Sequence, residues 1–537
     1  MTHPSKRERG IALIVVLFAL MLLTGIGLGL MYMTTTETEI DSNFRSEQQA
    51  YYASKAGLEE ARDRLRWGSC SGGTCTGAYP STNANYYINQ LPAFSKGWWL
   101  PSTAPTANTG SVLYIVNSMG ASDPVTPWSP NTTYFDDELC HENFTGLTGL
   151  SPTASTVPCA QAAPSGSSWY TSLTSTDPNT GTSSATPYKW VRITLKQDNS
   201  PPYCPDYNGS TCPNSNRPVC LTMNGVAPYS PPYYEIPLPG GFTACENDNM
   251  RSVYVLTSLA TLPDGSRKMT QYEVASMVLP PMPGSITLDG SNPVTSGMNS
   301  SSMVVNGNDV HNPSSPNYNA SDGCTSPYSS PAQPAIAAFD NSSVAALQST
   351  ITKPNDFQGA GGTPSVVNQS SQLGQLTTVG GLQALVANVM STADQVYGNN
   401  PTISNLGTPT NPLVTVVNGN FSMGNAQGAG ILLVTGTLYQ SGNPNWDGLI
   451  LVIGKGDIEK SGGGNGTVNG AILVANTCTV CAPNSPVQYL PSSGPPGTPT
   501  LNWSGGGTAN INYDSCWINN LSQHSSLRVL ASHEEVY

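Results

Sequence analysis

The segment KRERGIALIVVLFALMLLTGIGLGLMYM, residues 6–33, determines the architecture of the N-terminal part of the chain. It opens with the basic residues Lys6, Arg7 and Arg9, and from Ile11 to Met33 it contains no charged residue. As a helix this run is long enough to cross about 30 Å of hydrocarbon. It is also longer than the apolar core of an ordinary signal peptide. The basic cluster predicts a cytoplasmic N-terminus, with the remainder of the chain outside.

A helical pattern continues beyond Met33 without a signal-peptidase site. In TTTETEIDSNFRSEQQAYYASKAGLEEARDRLRW, residues 34–67, apolar side chains recur at every seventh position: Phe44, Tyr51, Leu58 and Leu65. The pattern predicts one helix of roughly 50 residues, apolar all round in its first half and with a single apolar stripe in its second. We expect this stripe to dock against a globular domain.

Residues 6–66 resemble the N-terminus of type IV pilins, and more closely that of PilX-type minor pilins. The resemblance rests on the basic leader that ends in Gly10, on the apolar helix, and on the alanine-rich stretch AYYASKAGLEEA at 50–61. It implies cleavage after Gly10 by a prepilin peptidase and N-methylation of the new terminal Ile11. It also implies a single-pass inner-membrane protein that later joins a pilus at the cell surface.

The same resemblance implies a set of partners. These are other major and minor pilins, the assembly platform in the inner membrane, the prepilin peptidase and a PilY-type tip adhesin.

Val15 departs from the usual pilin pattern. Most pilins have glutamate at the fifth position after the cleavage point, where it can pair with the N-terminal amine of a neighbouring subunit; this chain has Val15. An unpaired carboxylate in an apolar environment is costly, so a subunit without a preceding partner loses little by lacking it. This favours an initiating or tip subunit. Some minor pilins and the K-type minor pseudopilin of type II secretion also lack this glutamate. A minor pseudopilin therefore remains an alternative, as does a plain uncleaved signal anchor.

Charge argues against one class of partner for the rest of the chain. The net charge is −13 over 537 residues, and residues 1–66 contribute nothing to it because they hold eight basic and eight acidic residues. A body this acidic should be repelled by nucleic acid. Its low charged fraction of 10% and its many Gly and Pro residues are typical of a loop-rich, strand-rich exported protein.

The cysteines also indicate an oxidising compartment. All twelve follow residue 69, and several lie in close pairs within polar segments. The candidate disulfide cysteines are Cys70 and Cys75, Cys140 and Cys159, Cys204 and Cys212, Cys220 and Cys245, and Cys478 and Cys481. Spacing cannot fix their connectivity, and it leaves Cys324 and Cys516 far apart. A zinc site is the alternative for Cys478 and Cys481, although no second CxxC or nearby His pair accompanies them.

The body divides into two expected domains. Residues 67–279 should form a pilin-like domain with long disulfide-stapled loops, in which residues 189–197 are a strand and residues 252–279 a hairpin turning at Pro263 to Gly265. After a linker at 280–283, residues 284–537 hold short β-branched runs separated by Gly and Asn. These runs favour a β-solenoid, with a β-sandwich as the alternative. Two helical patterns, at 334–351 and 380–397, interrupt them.

The fold class is therefore predicted as α+β. After a leader at 1–10, a long N-terminal helix (apolar part 11–33, amphipathic part 34–66) should lie on an antiparallel sheet, followed by a β-rich domain.

The sequence predicts no catalytic, metal-binding or cofactor-binding site. The five histidines are scattered, and SGGGNG at 461–466 lacks the Lys-Ser/Thr of a P-loop. Three classes of function remain open: a structural pilus subunit, an adhesin, and a membrane-anchored enzyme acting on polysaccharide. The last would need a carboxylate cluster on one face of the solenoid.

Overall fold

The fold is described from a computed structural model. The residues it describes are 8–65, 69–71, 74–76, 88, 112–117, 125–127, 133–136, 169–172, 174–176, 183–196, 219–223, 233–237, 245, 250–298, 303–319, 324, 330–481, 486–504, 509–524 and 527–535.

A single helix, α1 (Glu8–Arg64), includes both the predicted apolar and amphipathic parts. Strands are numbered in chain order, and the first eleven follow the helix. They are β1 (Ser69–Ser71), β2 (Thr74–Thr76), β3 (Val112–Val116), β4 (Trp169–Thr171), β5 (Thr174–Thr176), β6 (Ser183–Ala185), β7 (Tyr188–Leu195), β8 (Val219–Met223), β9 (Tyr233–Pro237), β10 (Met250–Thr261) and β11 (Arg267–Ala275). The predicted hairpin is present as β10 and β11, which pair in antiparallel register from Val253–Ala275 to Thr261–Arg267.

The second half of the chain contains the other strands and four short helices. Its first part has β12 (Ile286–Asp289), β13 (Val294–Ser296), β14 (Met303–Asn306), β15 (Ile336–Ala338), α2 (Asn341–Thr350), β16 (Phe357–Gln358), β17 (Val366–Asn368), α3 (Ser370–Leu373) and α4 (Val379–Ser391), with 3-10 turns at Pro354–Asp356 and Gly374–Thr377.

Its second part has β18 (Gln395–Tyr397), β19 (Leu413–Val417), β20 (Phe421–Ser422), β21 (Gln427–Val434), β22 (Thr437–Gln440), β23 (Asn445–Gly454), β24 (Asp457–Lys460), β25 (Gly466–Asn476), β26 (Cys478–Val480), β27 (Gln488–Tyr489), β28 (Thr500–Trp503), β29 (Ala509–Tyr513), α5 (Ser515–His524) and β30 (Arg528–Glu535).

The two helical patterns are shorter than predicted. Residues 336–338 of the first form strand β15, and the helix begins only after Asp340, whose carboxylate accepts the Ser343 N–H at 2.7 Å as an N-cap. The second helix ends at Ser391, and residues 395–397 form β18, which pairs with β19. Periodicity of apolar residues could not separate these strands from the helices beside them because each is only three residues long.

An eight-stranded sheet carries α1. Its main order is β30-β11-β10-β7-β3-β4, with β8 and β9 attached beside β10, and all pairs except β3 with β4 are antiparallel. The edge strand β30 comes from the extreme end of the described chain and pairs with β11 from Met269 to Ala275. No strand was predicted at these residues, and the C-terminal segment returns to the first sheet.

Two further sheets, one of eleven and one of five strands, form what we call the parallel stack, built from residues 286–513. Their strands pair in parallel, as in β19 with β21, β21 with β23 and β23 with β25. The chain enters the stack at its middle, because β12 pairs with β25 on one side and with β15 on the other. It winds to β17, passes through α3 and α4, starts again at β18 and winds back until β29 pairs with both β25 and β14.

Glycine makes the close contact between turns of the stack possible. Gly430, Gly448 and Gly470 occupy the same register position in β21, β23 and β25, each with a φ between 131° and 141°. A Cβ on Gly448 would lie 2.2 Å from the carbonyl oxygen of Gly430. An L side chain is strained at such a φ, so this position needs glycine on both counts.

The stack and the first sheet share a hydrophobic core. Leu221 and Val253 of the sheet belong to the same buried cluster as Ile431 and Leu449 of the stack and Leu385 of α4. The predicted linker at 280–283 contributes to it through Met282, which is 2% exposed. Both halves of the chain are therefore packed together along this surface.

Three disulfides lie within the described residues. Cys220–Cys245 and Cys478–Cys481 join pairs that are also close in sequence, whereas Cys324–Cys516 joins residues separated by 192 positions. Cys70 and Cys75 face each other as Cα partners in the β1–β2 hairpin. Cys140, Cys159, Cys204 and Cys212 lie outside the described residues.

Candidate assembly helix

The first half of α1 projects from the rest of the molecule with its apolar side chains uncovered. Its most apolar 18-residue window has a mean hydropathy of 2.7 and none of that window is buried. Val15, which occupies the position of the usual pilin glutamate, is 60% exposed. By length and composition this helix could cross a membrane, and its exposed apolar surface needs lipid or other helices to cover it.

The threonine hydroxyl groups of this half are satisfied by the helix itself. Thr24 donates to the Leu20 carbonyl at 2.8 Å, and Thr34 donates to the Leu30 carbonyl at 2.7 Å. A polar group left unpaired in hydrocarbon is costly. Because these hydroxyls are bonded within the helix, the helix can lie in an apolar environment without that cost. Gly25 and Gly29 lie one turn apart with no atom within 4 Å of a Cβ built on either, so a second helix could approach closely there.

Small residues bring the second half of α1 close to the sheet. Ala53, Ser54, Gly57 and Ala61 are buried on the face that contacts β7, β10 and β11. A Cβ on Gly57 would lie 2.6 Å from Ser258 Oγ. Helix and sheet therefore touch through backbone and small side chains at this point.

The predicted docking stripe is only partly used for this contact. Leu58 and Leu65 are buried in the cluster beneath the helix, which also contains Ile193 and Leu256. Tyr51 is half-buried, and Phe44 is 57% exposed. Buried helix residues begin at Ala50, so Phe44 lies beyond the packed surface. Heptad spacing selects large apolar side chains, so it passes over the small residues of this contact.

A buried polar cluster fixes the end of the helix. Arg64 Nη2 lies 2.6 Å from Glu60 Oε1, and the Tyr188 hydroxyl donates to Glu60 Oε2 at 2.7 Å. All three side chains are buried. Burial, reinforced by the Glu60 carboxylate, raises the pKa of Tyr188 well above its ordinary value. The tyrosine therefore keeps its proton and remains a donor to the helix.

A surface ion pair network adds a second connection. Lys268 of β11 lies 3.1 Å from a Glu47 oxygen on α1 and 2.8 Å from a Glu534 oxygen on β30. Its hydrogen bond to Glu534, followed by that to Glu47, raises the pKa of Lys268. The lysine thus joins the helix to the C-terminal strand, although exposed pairs of this kind contribute little individually.

Gly10 and Ile11, the predicted processing positions, lie near the start of α1. Lys6 and Arg7 lie outside the described residues. In the part of the chain that the structure describes, no group of three or more His, Cys, Asp or Glu side chains is arranged to hold a metal ion.

Residues 9–59 match the family model described as PilX N-terminal. No curated protein and no solved structure matches the chain. The match begins beside Gly10 and Ile11, spans the exposed apolar half of α1, and ends within the docked half at Glu59. Over residues 9–59 the N-terminal helix of this chain is therefore similar to the PilX N-terminal family, and it is joined to a large strand-rich region.

Proposed function

We propose that the protein is a minor pilin that is cut after Gly10 by a prepilin peptidase and is then incorporated into, or initiates, a type IV pilus. The observation that carries this proposal is the division of α1 into an uncovered apolar half and a half docked on a sheet. Such a helix can leave the membrane by exchanging lipid contacts for contacts with neighbouring helices. Its partners would be other pilins, the assembly platform, the peptidase and a PilY-type tip adhesin.

The processing step is tested by mass spectrometry of the mature N-terminus in cells with and without prepilin peptidase. We expect the chain to begin at methylated Ile11 in the first case and at Met1 in the second. A chain that retains Met1 when the peptidase is active would contradict the proposal. The topology with a cytoplasmic N-terminus is tested in cells that lack the peptidase, where residues 1–10 are retained: a cysteine introduced at Ser5 should escape a membrane-impermeant reagent in intact cells and react after the membrane is permeabilised.

We further propose that the subunit occupies the pilus tip. Two features support this: Val15 offers no carboxylate to a preceding subunit, and the parallel stack is a large addition that a crowded shaft would accommodate poorly. In a tip subunit, Val15→Glu would place an unpaired carboxylate in an apolar environment. We expect Val15→Glu to lower the number of surface pili and Val15→Leu to leave it unchanged. Wild-type piliation with Val15→Glu would refute the tip position.

A minor pseudopilin of a type II secretion-like system is the second candidate, because it is favoured by the same valine. The two differ in the phenotype of a gene deletion. Loss or alteration of pili supports the pilus, whereas intact pili with loss of secreted enzymes supports the secretion system.

For the body of the chain, we propose the division predicted above, with a pilin-like domain at 67–279 and a displayed domain from 284 onward that is a β-solenoid. Parallel pairing between successive strands of the stack supports the solenoid. The return of β30 to the first sheet means that the pilin-like domain would include this final strand. Display outside the cell agrees with three disulfides in the described residues.

A further inference from the structure

Three adjacent strands of the parallel stack present a flat array of polar side chains on the outside. In register across β23, β25 and β29 lie two rows, Asn445, Thr467 and Asn510, and Asp447, Asn469 and Asn512. All six are exposed or half-buried, while the alternating residues Trp446, Val468 and Ile511 belong to the interior cluster of the stack. We call these six residues the amide face.

Hydrogen bonds along the rows hold the amides in fixed orientations. Asn469 Nδ2 donates to Asp447 Oδ1 at 2.9 Å, and Asn512 Nδ2 donates to Asn469 Oδ1 at 3.1 Å. In the other row, Asn445 Nδ2 donates to Gln427 Oε1 at 2.8 Å. A primary amide has two N–H groups and an oxygen with two lone pairs, so each row bond leaves further hydrogen-bonding capacity on the amide. The face is therefore an ordered set of donors and acceptors rather than a set of mobile side chains.

The scaffold beneath the face sets its spacing. Paired strands lie about 4.8 Å apart, and alternate residues along one strand are about 6.7 Å apart. Trp446 and Val468 anchor these strands from below. An array with this spacing fits an extended partner. Its neutral hydrogen-bonding groups would recur at intervals of about one sugar ring.

Charge selects among such partners. The only formally charged side chain of the amide face is Asp447, and the whole chain has a net charge of −13. A polyanion would be repelled at long range, whereas a neutral polyol meets no such barrier. We propose that the amide face binds a chain of neutral polysaccharide by hydrogen bonds to its hydroxyl groups. This activity goes beyond assembly through α1, and neither depends on the other.

Thr467 and Asn510 offer a clean test. Both are half-buried on the face, and within the described residues neither side chain takes part in a hydrogen bond, an ion pair or a ring contact. The double variant Thr467→Ala/Asn510→Ala should therefore remove contacts to a ligand without removing contacts within the fold. The matched control is Ser422→Ala/Glu459→Gln, at outward positions of β20 and β24 in the other sheet of the stack.

The assay is cosedimentation of the full chain, purified in detergent, with insoluble cellulose and chitin, alongside immobilised heparin as a polyanion. We expect binding to at least one neutral polysaccharide, no binding to heparin, and a loss of about tenfold in affinity in the double variant, as two ordinary hydrogen bonds imply. The control variant should bind like the parent, and unfolding temperatures should be equal in all three.

Three results would overturn the proposal. They are no binding to either neutral polysaccharide, binding that the double variant retains in full, and binding to heparin that salt abolishes. If the double variant binds and the control variant does not, the binding site lies on the other sheet of the stack.

Discussion

Gly57 is the position at which the docking of α1 is most sensitive to a small change. A Cβ there would lie 2.6 Å from Ser258 Oγ, 2.8 Å from Tyr188 Cγ and 2.9 Å from Val191 Cγ2. Ordinary contact between carbon atoms needs about 3.5–4.0 Å, so each neighbour would have to move by nearly 1 Å. The Tyr188 ring cannot move easily because it is fully buried and its hydroxyl is bonded to Glu60.

Two opposing contributions decide whether Gly57→Ala strengthens or weakens the docking of α1. Replacing glycine by alanine within a helix stabilises it by about 1 kcal/mol. Overpacking a buried contact costs about 1–3 kcal/mol. We therefore expect a net loss of about 1 kcal/mol in the free energy of docking. Gly57→Leu should lose more, because three further carbon atoms must enter the same space.

Hydrogen exchange of the full chain in detergent measures this loss, read from peptides that cover residues 50–65 and β10. A loss of about 1 kcal/mol corresponds to exchange about fivefold faster in these peptides. The matched control is Ala56→Leu, at the adjacent exposed position, which should leave exchange unchanged. Unchanged or slower exchange in Gly57→Leu, or an equal effect in Ala56→Leu, would refute close packing of the helix at Gly57.

Three further predictions concern buried groups. Tyr188→Phe leaves one oxygen of the buried Glu60 carboxylate without this donor and should lower the free energy of unfolding by about 1–3 kcal/mol, measured by the same exchange experiment; no change would show that the hydrogen bond is dispensable. Asp289 is buried with no hydrogen-bond partner for either carboxylate oxygen among the described residues, and burial raises its pKa well above the ordinary value. Between about pH 4 and the raised folded-state pKa, Asp289 keeps a proton in the folded chain that it releases in the unfolded chain. The free energy of unfolding therefore has its full contribution from Asp289 in acid and loses it as the pH rises through the folded-state pKa. Asp289→Asn should stabilise the chain more at pH 7.5 than at pH 4.5 in urea unfolding, and an equal difference at both pH values would count against it. Gly448→Ala combines a strained φ of 132° with a contact of 2.2 Å to the Gly430 carbonyl oxygen and should destabilise the stack by about 3 kcal/mol or more, whereas Gly462→Ala, with φ of 83° and nothing within 4 Å, should cost only about 1–2 kcal/mol. Equal unfolding midpoints for these two variants would rule out the close approach at Gly448.

Local patterns in the sequence predicted the elements that local chemistry determines. The absence of charge from Ile11 to Met33 predicted the exposed apolar half of α1, and Pro263 to Gly265 predicted the turn between β10 and β11. The β-branched runs around Ile431, Leu449 and Ile472 predicted strands that are present. In each case one segment of sequence contains all the information that the element needs.

Long-range arrangements could not be predicted in this way. Residues 286–289 lie beside residues 472–475, and nothing in either run specifies the other as a neighbour. The Cys324–Cys516 disulfide depends on the same topology, since it joins two positions that are near each other only once the stack has formed. The small residues of the docking surface were missed for a different reason: Gly57 is important because of what surrounds it, and a search for apolar periodicity passes over glycine.

The C-terminal strand β30 links the parallel stack to α1 through side-chain contacts. Arg528 of β30 stacks its guanidinium 3.6 Å from the centre of the Tyr233 ring and donates to Asn388 Oδ1 of α4 at 3.1 Å. Asn388 in turn donates to the Val278 carbonyl at 2.6 Å, just before the predicted linker. Farther along β30, Glu534 reaches Lys268, which also contacts α1. A force on the helix would therefore pass through β11 and β30 into α4 and the shared core, so we expect the stack to keep a fixed orientation relative to the docked half of α1 rather than to swing on a flexible tether.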